Sequence, residues 1–350
     1  MLEKNNKISM SVSCICYENG GLWFVHAQLP LLCYTNIQSG EVEVVKIIPC
    51  EKQKCLYMFR GIYAIEDKIV LIPSNTKNIM IYLKHKDMFK KIEIENACSN
   101  MFRGYIKDGE WLYLKPYCYE KIVRFNYVTE QVEYGTDWKE KVELNDCISA
   151  ACKADNEYLN AIWNKNYILK YNAEEKNIER FILPGISEIS QIVYRKNQIF
   201  VYDMLDKTLK RYDCKTNKIT KSVYIGIDDG WLDELNNKIV LSAVEKNYWV
   251  VFDKNLEVVA EKQNSIEKYS FQSDYCCIEW TEDEKGNTYG IDVNSNLIQF
   301  SGNEISQKKI ELNNKCWKLI GNRIANIFKE KVWKENEIFD LKDLLLTLKK

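Results

Sequence analysis

Apolar and polar positions alternate along this chain in short runs, and the runs recur as a set. From Arg60 the chain reads "RGIYAIEDKIVLIPSNTKNIMIYLKHKDMFKKIEI", and from Arg103 "RGYIKDGEWLYLKPYCYEKIVRFNYVTEQVEY". Each passage holds four runs of period-two alternation, which predicts four β-strands. The first run follows the Arg-Gly pair. A polar turn, "EDK" or "KDGE", leads to a second run rich in β-branched and aromatic residues. A third run ends in Tyr or Phe, and another polar turn opens the fourth. The tetrapeptide Met-Phe-Arg-Gly heads both passages, as Met58–Gly61 and Met101–Gly104, 43 residues apart.

The same grammar recurs from Ser11, Ile148, Ile189, Gly230 and Tyr275, giving units about 40 to 50 residues apart. Four strands at that period is the pattern of a propeller blade. A lone four-stranded sheet cannot cover both its faces, whereas radial stacking buries each blade against its neighbours and leaves only short edges. The prediction is an all-β chain: a single seven-bladed β-propeller of four-stranded antiparallel blades over residues 1–315. Turn chemistry agrees, since Asn19-Gly20, Asp108-Gly109 and Gly286-Asn287 all tolerate positive φ. Of five prolines, Pro30, Pro73 and Pro116 fall at a strand edge or just after a second run, where no ladder donor is lost.

The unit from Ile189 contains "LKRYDCKTNKI". This resembles the turn between third and fourth strands in many propeller families, including the NHL, YVTN and quinoprotein-like groups. The resemblance spans about residues 8 to 315 and implies the architecture only. The Trp-Asp dipeptides of WD40 repeats and the double glycine of kelch repeats are absent, so no family activity carries over.

After Trp317 the period changes. Leu319, Ile320, Ile324, Ile327 and Phe328 follow helical spacing, and Asp340 can N-cap a last helix holding Leu341, Leu344, Leu345 and Leu348. Residues 316–350 are expected to form a helical tail, either packed over the propeller or docking a partner. Ring closure needs a terminal strand, and "NKISMSV" at residues 6–12 is the one free candidate, so partial closure is expected.

Composition narrows the partners. Forty-nine basic and 50 acidic residues leave a formal charge of −1, so no global positive field draws the chain to nucleic acid. No apolar run approaches the roughly eighteen residues of a membrane span, and "MLEKNNKISM" lacks the core of a signal peptide. The 13 cysteines are an odd number, and Cys14, Cys16, Cys33, Cys118, Cys276 and Cys277 sit in strand-like runs, where cysteine acts as a small hydrophobe. Reduced thiols in a cytoplasmic monomer are expected. The wealth of Lys, Asn and Ile fits an AT-rich bacterial genome.

Catalytic motifs are scarce. Only His26 and His85 occur, too few for most zinc sites and triads. His26 reads as structural and His85 as exposed. No CxxC, Walker loop, GxGxxG or nucleophile elbow appears, and no metal or cofactor is expected.

One constellation stands out. Counting back ten residues from the second-strand starts aligns Arg60 with Arg103, and places Ser149, Gln191, Asp229 and Asp274 at the matching points of other blades. These points face one mouth of the central channel. Forked guanidinium groups suit carboxylate, phosphate or sulfate, and Asp229 and Asp274 opposite suit a hydroxyl or an amine. Alternatively, these side chains hold neighbouring blades together. The functional expectation is a non-catalytic binding or scaffolding propeller presenting its channel mouth to a protein partner or a small anionic ligand. The alternatives are a lyase or hydrolase acting on an anionic or saccharide-like substrate, with Asp229 or Asp274 as acid or base, and a glycan binder using rim tryptophans among Trp23, Trp111, Trp163, Trp231, Trp249 and Trp280.

Overall fold

The computed structural model describes residues 12–27, 29–49, 57–235, 238–243, 248–263, 279–292, 295–301 and 304–312. The alternating runs become seven four-stranded antiparallel sheets in chain order. Blade one holds β1 (Val12–Glu18), β2 (Gly21–His26), β3 (Leu31–Asn36) and β4 (Glu41–Ile47). Blade two holds β5 (Phe59–Ile65), β6 (Lys68–Pro73), β7 (Asn78–Leu83) and β8 (Met88–Glu93). Blade three holds β9 (Phe102–Asp108), β10 (Trp111–Pro116), β11 (Lys121–Asn126) and β12 (Val132–Asp137). Blade four holds β13 (Ile148–Ala154), β14 (Glu157–Ile162), β15 (Tyr167–Asn172) and β16 (Asn177–Ile182). Blade five holds β17 (Ile189–Arg195), β18 (Gln198–Asp203), β19 (Thr208–Asp213) and β20 (Lys218–Tyr224). Blade six holds β21 (Gly230–Leu235), β22 (Lys238–Ala243), β23 (Tyr248–Phe252) and β24 (Val258–Gln263). Blade seven holds β25 (Glu279–Glu282), β26 (Thr288–Ile291), β27 (Asn296–Ser301) and β28 (Glu304–Lys309).

Burial explains why the second and third runs are nearly all apolar while the fourth is polar. Both faces of β6, β18 and β22 are covered by neighbouring blades, so each has five consecutive buried residues. The outermost strands β8, β20 and β28 have no residue buried outright. Their lysines (Lys90 and Lys91, Lys218 and Lys221, Lys308 and Lys309) keep the open edges soluble and unattractive to other strands.

Among the described residues, each neighbouring pair of blades shares one apolar cluster. Met58 and Phe59 lie between blades one and two with Cys14, Val25 and Leu71. Met101 and Phe102 lie between blades two and three with Val70 and Leu112. Trp249, Trp280 and Phe300 fill the space between blades six and seven. The cluster of Phe24, Leu31, Tyr289 and Leu297 joins blade one to blade seven and so closes the ring. Tyr17 also stacks on Tyr289 with centroids 5.7 Å apart, and its amide donates to Thr281 Oγ1 at 3.2 Å.

Closure differs from the expectation. The strand that joins the two ends comes from just beyond blade seven: β29 (Glu311–Leu312) pairs parallel with Glu41 and Val42 of β4. The reason is geometric. The chain leaves β28, an outermost strand, beside the outermost strand of blade one, so a two-residue parallel pairing is within immediate reach. Residues 6–11 and the tail at 316–350 lie outside the described residues.

One ionic group is buried in this apolar frame. Lys210 Nζ lies 2.7 Å from Asp203 Oδ2, and Asp203 also accepts from the amides of Ser187 at 2.8 Å and Glu188 at 3.1 Å. Burial alone would push the Asp203 carboxyl up, but the Lys210 ammonium and these two amides hold it below the usual range. The group ties the loop before β17 to β18 and β19.

Candidate functional site in the central channel

The first strand of each blade lines a central channel of ≈ 570 Å³. In five blades this strand opens with a bulge, one extra residue beside the second strand. It falls at Ser13, Arg60, Ser149 and Ser190, and at Arg103-Gly104. A bulge re-aims its side chain out of the ladder. Two of the short serines fold back: Ser13 Oγ donates to Val25 O at 3.2 Å and Ser149 Oγ to Ala161 O at 3.4 Å. Arginine is too long for that return, so Arg60 and Arg103 extend into the channel.

The Arg-Gly pairs serve two different ends. A Cβ on Gly61 would meet Ile72 and Tyr105 Cδ1, each at 3.0 Å, so this glycine lets blade three press against blade two. Gly104 has φ +111, a left-handed conformation that glycine alone adopts readily. A Cβ there would crowd the Arg60 carbonyl oxygen at 3.3 Å and the Lys115 side chain at 3.9 Å. Lys115, a second-strand residue, thereby passes the inner strand and lines the channel.

Both guanidinium groups are held by rings. Arg60 lies 3.7 Å from the Tyr57 centroid and 5.6 Å from that of Trp231. Arg103 lies 3.7 Å from Tyr117, 5.1 Å from Trp231 and 5.3 Å from Trp163. Trp231 thus stands between the two cations, with each within cation–π range. Arg60 Nη1 also meets Glu279 Oε1 at 3.5 Å. Arg103 has no hydrogen-bond or ion-pair acceptor among the described residues. Burial, followed by repulsion from Arg60, lowers its pKa despite the opposing pull of Tyr117 and Asp229.

Asp233, Glu234, Glu279 and Glu282 all line this lumen. Burial pushes the Glu279 carboxyl up to about 7, with Arg60 and Lys115 opposing the rise and Asp233 adding to it. Glu279 is walled in by the channel, and its side chain remains 28% exposed to the lumen. Asp233 is pushed up by burial and opposed by Lys115. It has no hydrogen-bond donor among the described residues. At the far ends of the inner strands charges are paired locally, as in Arg195 Nε with Glu234 Oε1 at 3.4 Å and Lys153 with Asp108.

The structure therefore brings Arg60 and Arg103 to the same channel wall. Gln191 also lines the channel, but Ser190 is the bulge residue, one position before the point reached by counting. Asp229 immediately precedes β21 and accepts from the Gly230 amide at 2.8 Å. Because β21 carries no bulge, counting by fixed intervals slips there. Asp274 lies outside the described residues. Glu279, Asp233 and Lys115 escaped sequence reasoning. Two of them had a signal: an acidic pair inside the inner strand "GWLDEL", and a lone lysine in the apolar second strand "WLYLKP".

The other candidates lie away from the channel's charged cluster. His26 is buried and accepts from the Leu29 amide at 3.2 Å, while His85 is exposed beside Asp67 at 2.9 Å. Trp249 and Trp280 are core, and Arg124 covers Trp111 at 4.8 Å. Among the described residues no group of three His, Cys, Asp or Glu side chains is placed to hold a metal.

No protein-family description and no curated protein sequence matches the chain. Solved structures do. One is PorZ, described as an essential bacterial surface component of the type-IX secretion system of Porphyromonas gingivalis, with a TM-score of 0.59 at 9% identity. That match covers 87% of this chain, which spans 38% of the PorZ chain. The computationally designed Ika8 protein matches with a TM-score of 0.53 at 10% identity, covering 87% of this chain and 88% of its own. Identities this low establish a shared fold and nothing about activity.

Proposed function

We propose that this seven-bladed propeller is a binding protein whose central channel takes a small anionic ligand between Arg103 and Arg60, over the face of Trp231. The supporting observation is Arg103: three rings position its guanidinium in a largely enclosed lumen, and no described residue supplies an acceptor. Burying a cation without an acceptor is costly, and a bound carboxylate, phosphate or sulfate would supply one. Isothermal titration with acetate, phosphate and sulfate tests this. Binding that Arg103→Ala abolishes in a folded protein is the expected result; equal affinity in wild type and variant would sink the reading. Binding of a protein partner through an acidic side chain would use the same cation.

A second reading rests on Glu279. A carboxyl whose pKa is raised to about 7 beside a second carboxylate, Asp233, suits general acid–base work on an anionic or saccharide-like substrate. Turnover of uronides or glycosides that Glu279→Gln removes, with binding intact, would favour it. Binding without turnover favours the first reading.

A further inference from the structure

We infer that the channel ligand is a zwitterion of the ω-amino acid class, with its ammonium several bonds away from its anionic group. This rests on the anion-binding reading above and names what that site selects. Among the described residues, the charges lining the channel are segregated by blade. The cations Arg60, Arg103, Lys107, Lys115 and Lys153 come from blades two, three and four, and the four acids all come from blades six and seven. Blades one and five stand between these two arcs and contribute only residues 14, 15 and 191–194, none of them charged at neutral pH. One wall of the lumen is therefore positive and the facing wall negative. A lone anion gains at one wall and is repelled by the other, whereas a zwitterion gains at both.

The groups left without partners set where the two ends go. Arg60 meets Glu279 at 3.5 Å, so each of these answers the other. Among the described residues, Arg103 has ring faces around it and no acceptor. Asp233 feels the charge of Lys115 through space, but no described residue donates a hydrogen bond to it. Trp231 links the two places. Its ring lies 5.1 Å from the Arg103 guanidinium, and Asp233 follows it by two residues on β21. Both side chains therefore share the lumen face, with Asp233 roughly 7 Å further along the channel. That separation is too long for the adjacent charges of an α-amino acid and suits ends joined by several methylenes, which can rest on the Trp231 ring. An ammonium brings three donors and no acceptor, which is what the Asp233 carboxylate lacks. Lys107, at the far end of β9 and 5.4 Å from the Tyr63 ring, continues the positive wall, so the test below separates it from Arg103.

The test is ligand-observed NMR on the full chain at about pH 8, with 4-aminobutyrate, 6-aminohexanoate, butyrate, hexanoate, 2-aminobutyrate and succinate as probes. 2-Aminobutyrate has the atoms of 4-aminobutyrate with its charges adjacent, and succinate replaces the ammonium by a second carboxylate. At least one ω-amino acid should bind about tenfold more tightly than the carboxylate of its own length, 2-aminobutyrate and succinate, the ratio expected for one charge-assisted hydrogen bond. Asp233→Asn, with its fold checked by circular dichroism, should bring that ratio toward unity. Arg103→Ala should remove the binding of ω-amino acids and carboxylates alike. A carboxylate, 2-aminobutyrate or succinate that binds as tightly as the better ω-amino acid overturns the inference and leaves the anion site standing. A ratio that survives in folded Asp233→Asn overturns it too. Binding that survives Arg103→Ala, with the anion then held elsewhere on the positive wall, overturns both the inference and the reading of Arg103 as the anion receptor. Silence of all these probes, and of phosphate and sulfate, also overturns both.

Discussion

Arg60 Nη1 lies 3.5 Å from Glu279 Oε1, although 219 positions separate the two residues in the chain. They belong to blades two and seven, which flank blade one, so the contact spans the seam at which the ring closes. An ion pair in that place makes the channel chemistry depend on closure.

Glu279 should make stability depend on pH. Its folded pKa, about 7, is raised from an ordinary 4.5. The contribution is therefore fully present below the ordinary value and lost as pH rises through the folded one. In urea denaturation, Glu279→Gln should gain stability relative to wild type as pH rises from about 4.5 to 7, with a constant gap above that. A gap that does not change with pH would show that Glu279 titrates normally.

Arg103→Ala should abolish anion binding without loss of fold. Removing a buried cation that lacks an acceptor relieves a desolvation penalty, which offsets the lost ring contacts. The melting temperature should stay within a few degrees, and Arg103→Lys should not restore binding, because an ammonium lacks the planar fork that stacks on Tyr117.

The interblade cores should behave as separate units. Phe59 and Phe200 are both fully buried but lie in different clusters, between blades one and two and between blades five and six. Each Phe→Ala change should cost about 3–5 kcal/mol. The double variant should lose the sum within about 0.5 kcal/mol, provided unfolding by chemical denaturant is a single transition.

Breaking the Asp203–Lys210 pair should also be costly. Asp203→Ala leaves the Ser187 and Glu188 amides without an acceptor and the buried Lys210 held only by Asp206 and the Gly185 carbonyl, a loss of about 2–4 kcal/mol. Asp203 is also depressed in the fold, so its contribution is present above the ordinary carboxylate value and is lost as pH falls through the lower folded one. Acid denaturation of wild type should carry this loss, and the variant should lack it.

Much of this was legible in the chain. Period-two runs in sets of four, repeated at blade spacing, point to radial stacking, which buries β6 and β18 on both faces. The repeated Met-Phe-Arg-Gly marked the blade interfaces at Met58, Phe59, Met101 and Phe102, and singled out the arginines as residues that packing did not need. Reading further by counting failed at blade six: β21 lacks the bulge that the earlier inner strands carry, and a one-residue slip turns every side chain to another face.

The sequence by itself determined the repeating unit and the two arginines at its inner edge, because burial and alternation are local consequences of residue type. Only the tertiary structure decided what those arginines meet. Glu279 comes from blade seven, Asp233 and Trp231 from blade six, and Lys115 from the second strand of blade three, and nothing in their local spacing links them to Arg60 or Arg103. Charges interact through space. Closing a ring brings the far end of the chain back against its beginning, and that closure is what turns single polar residues into one channel.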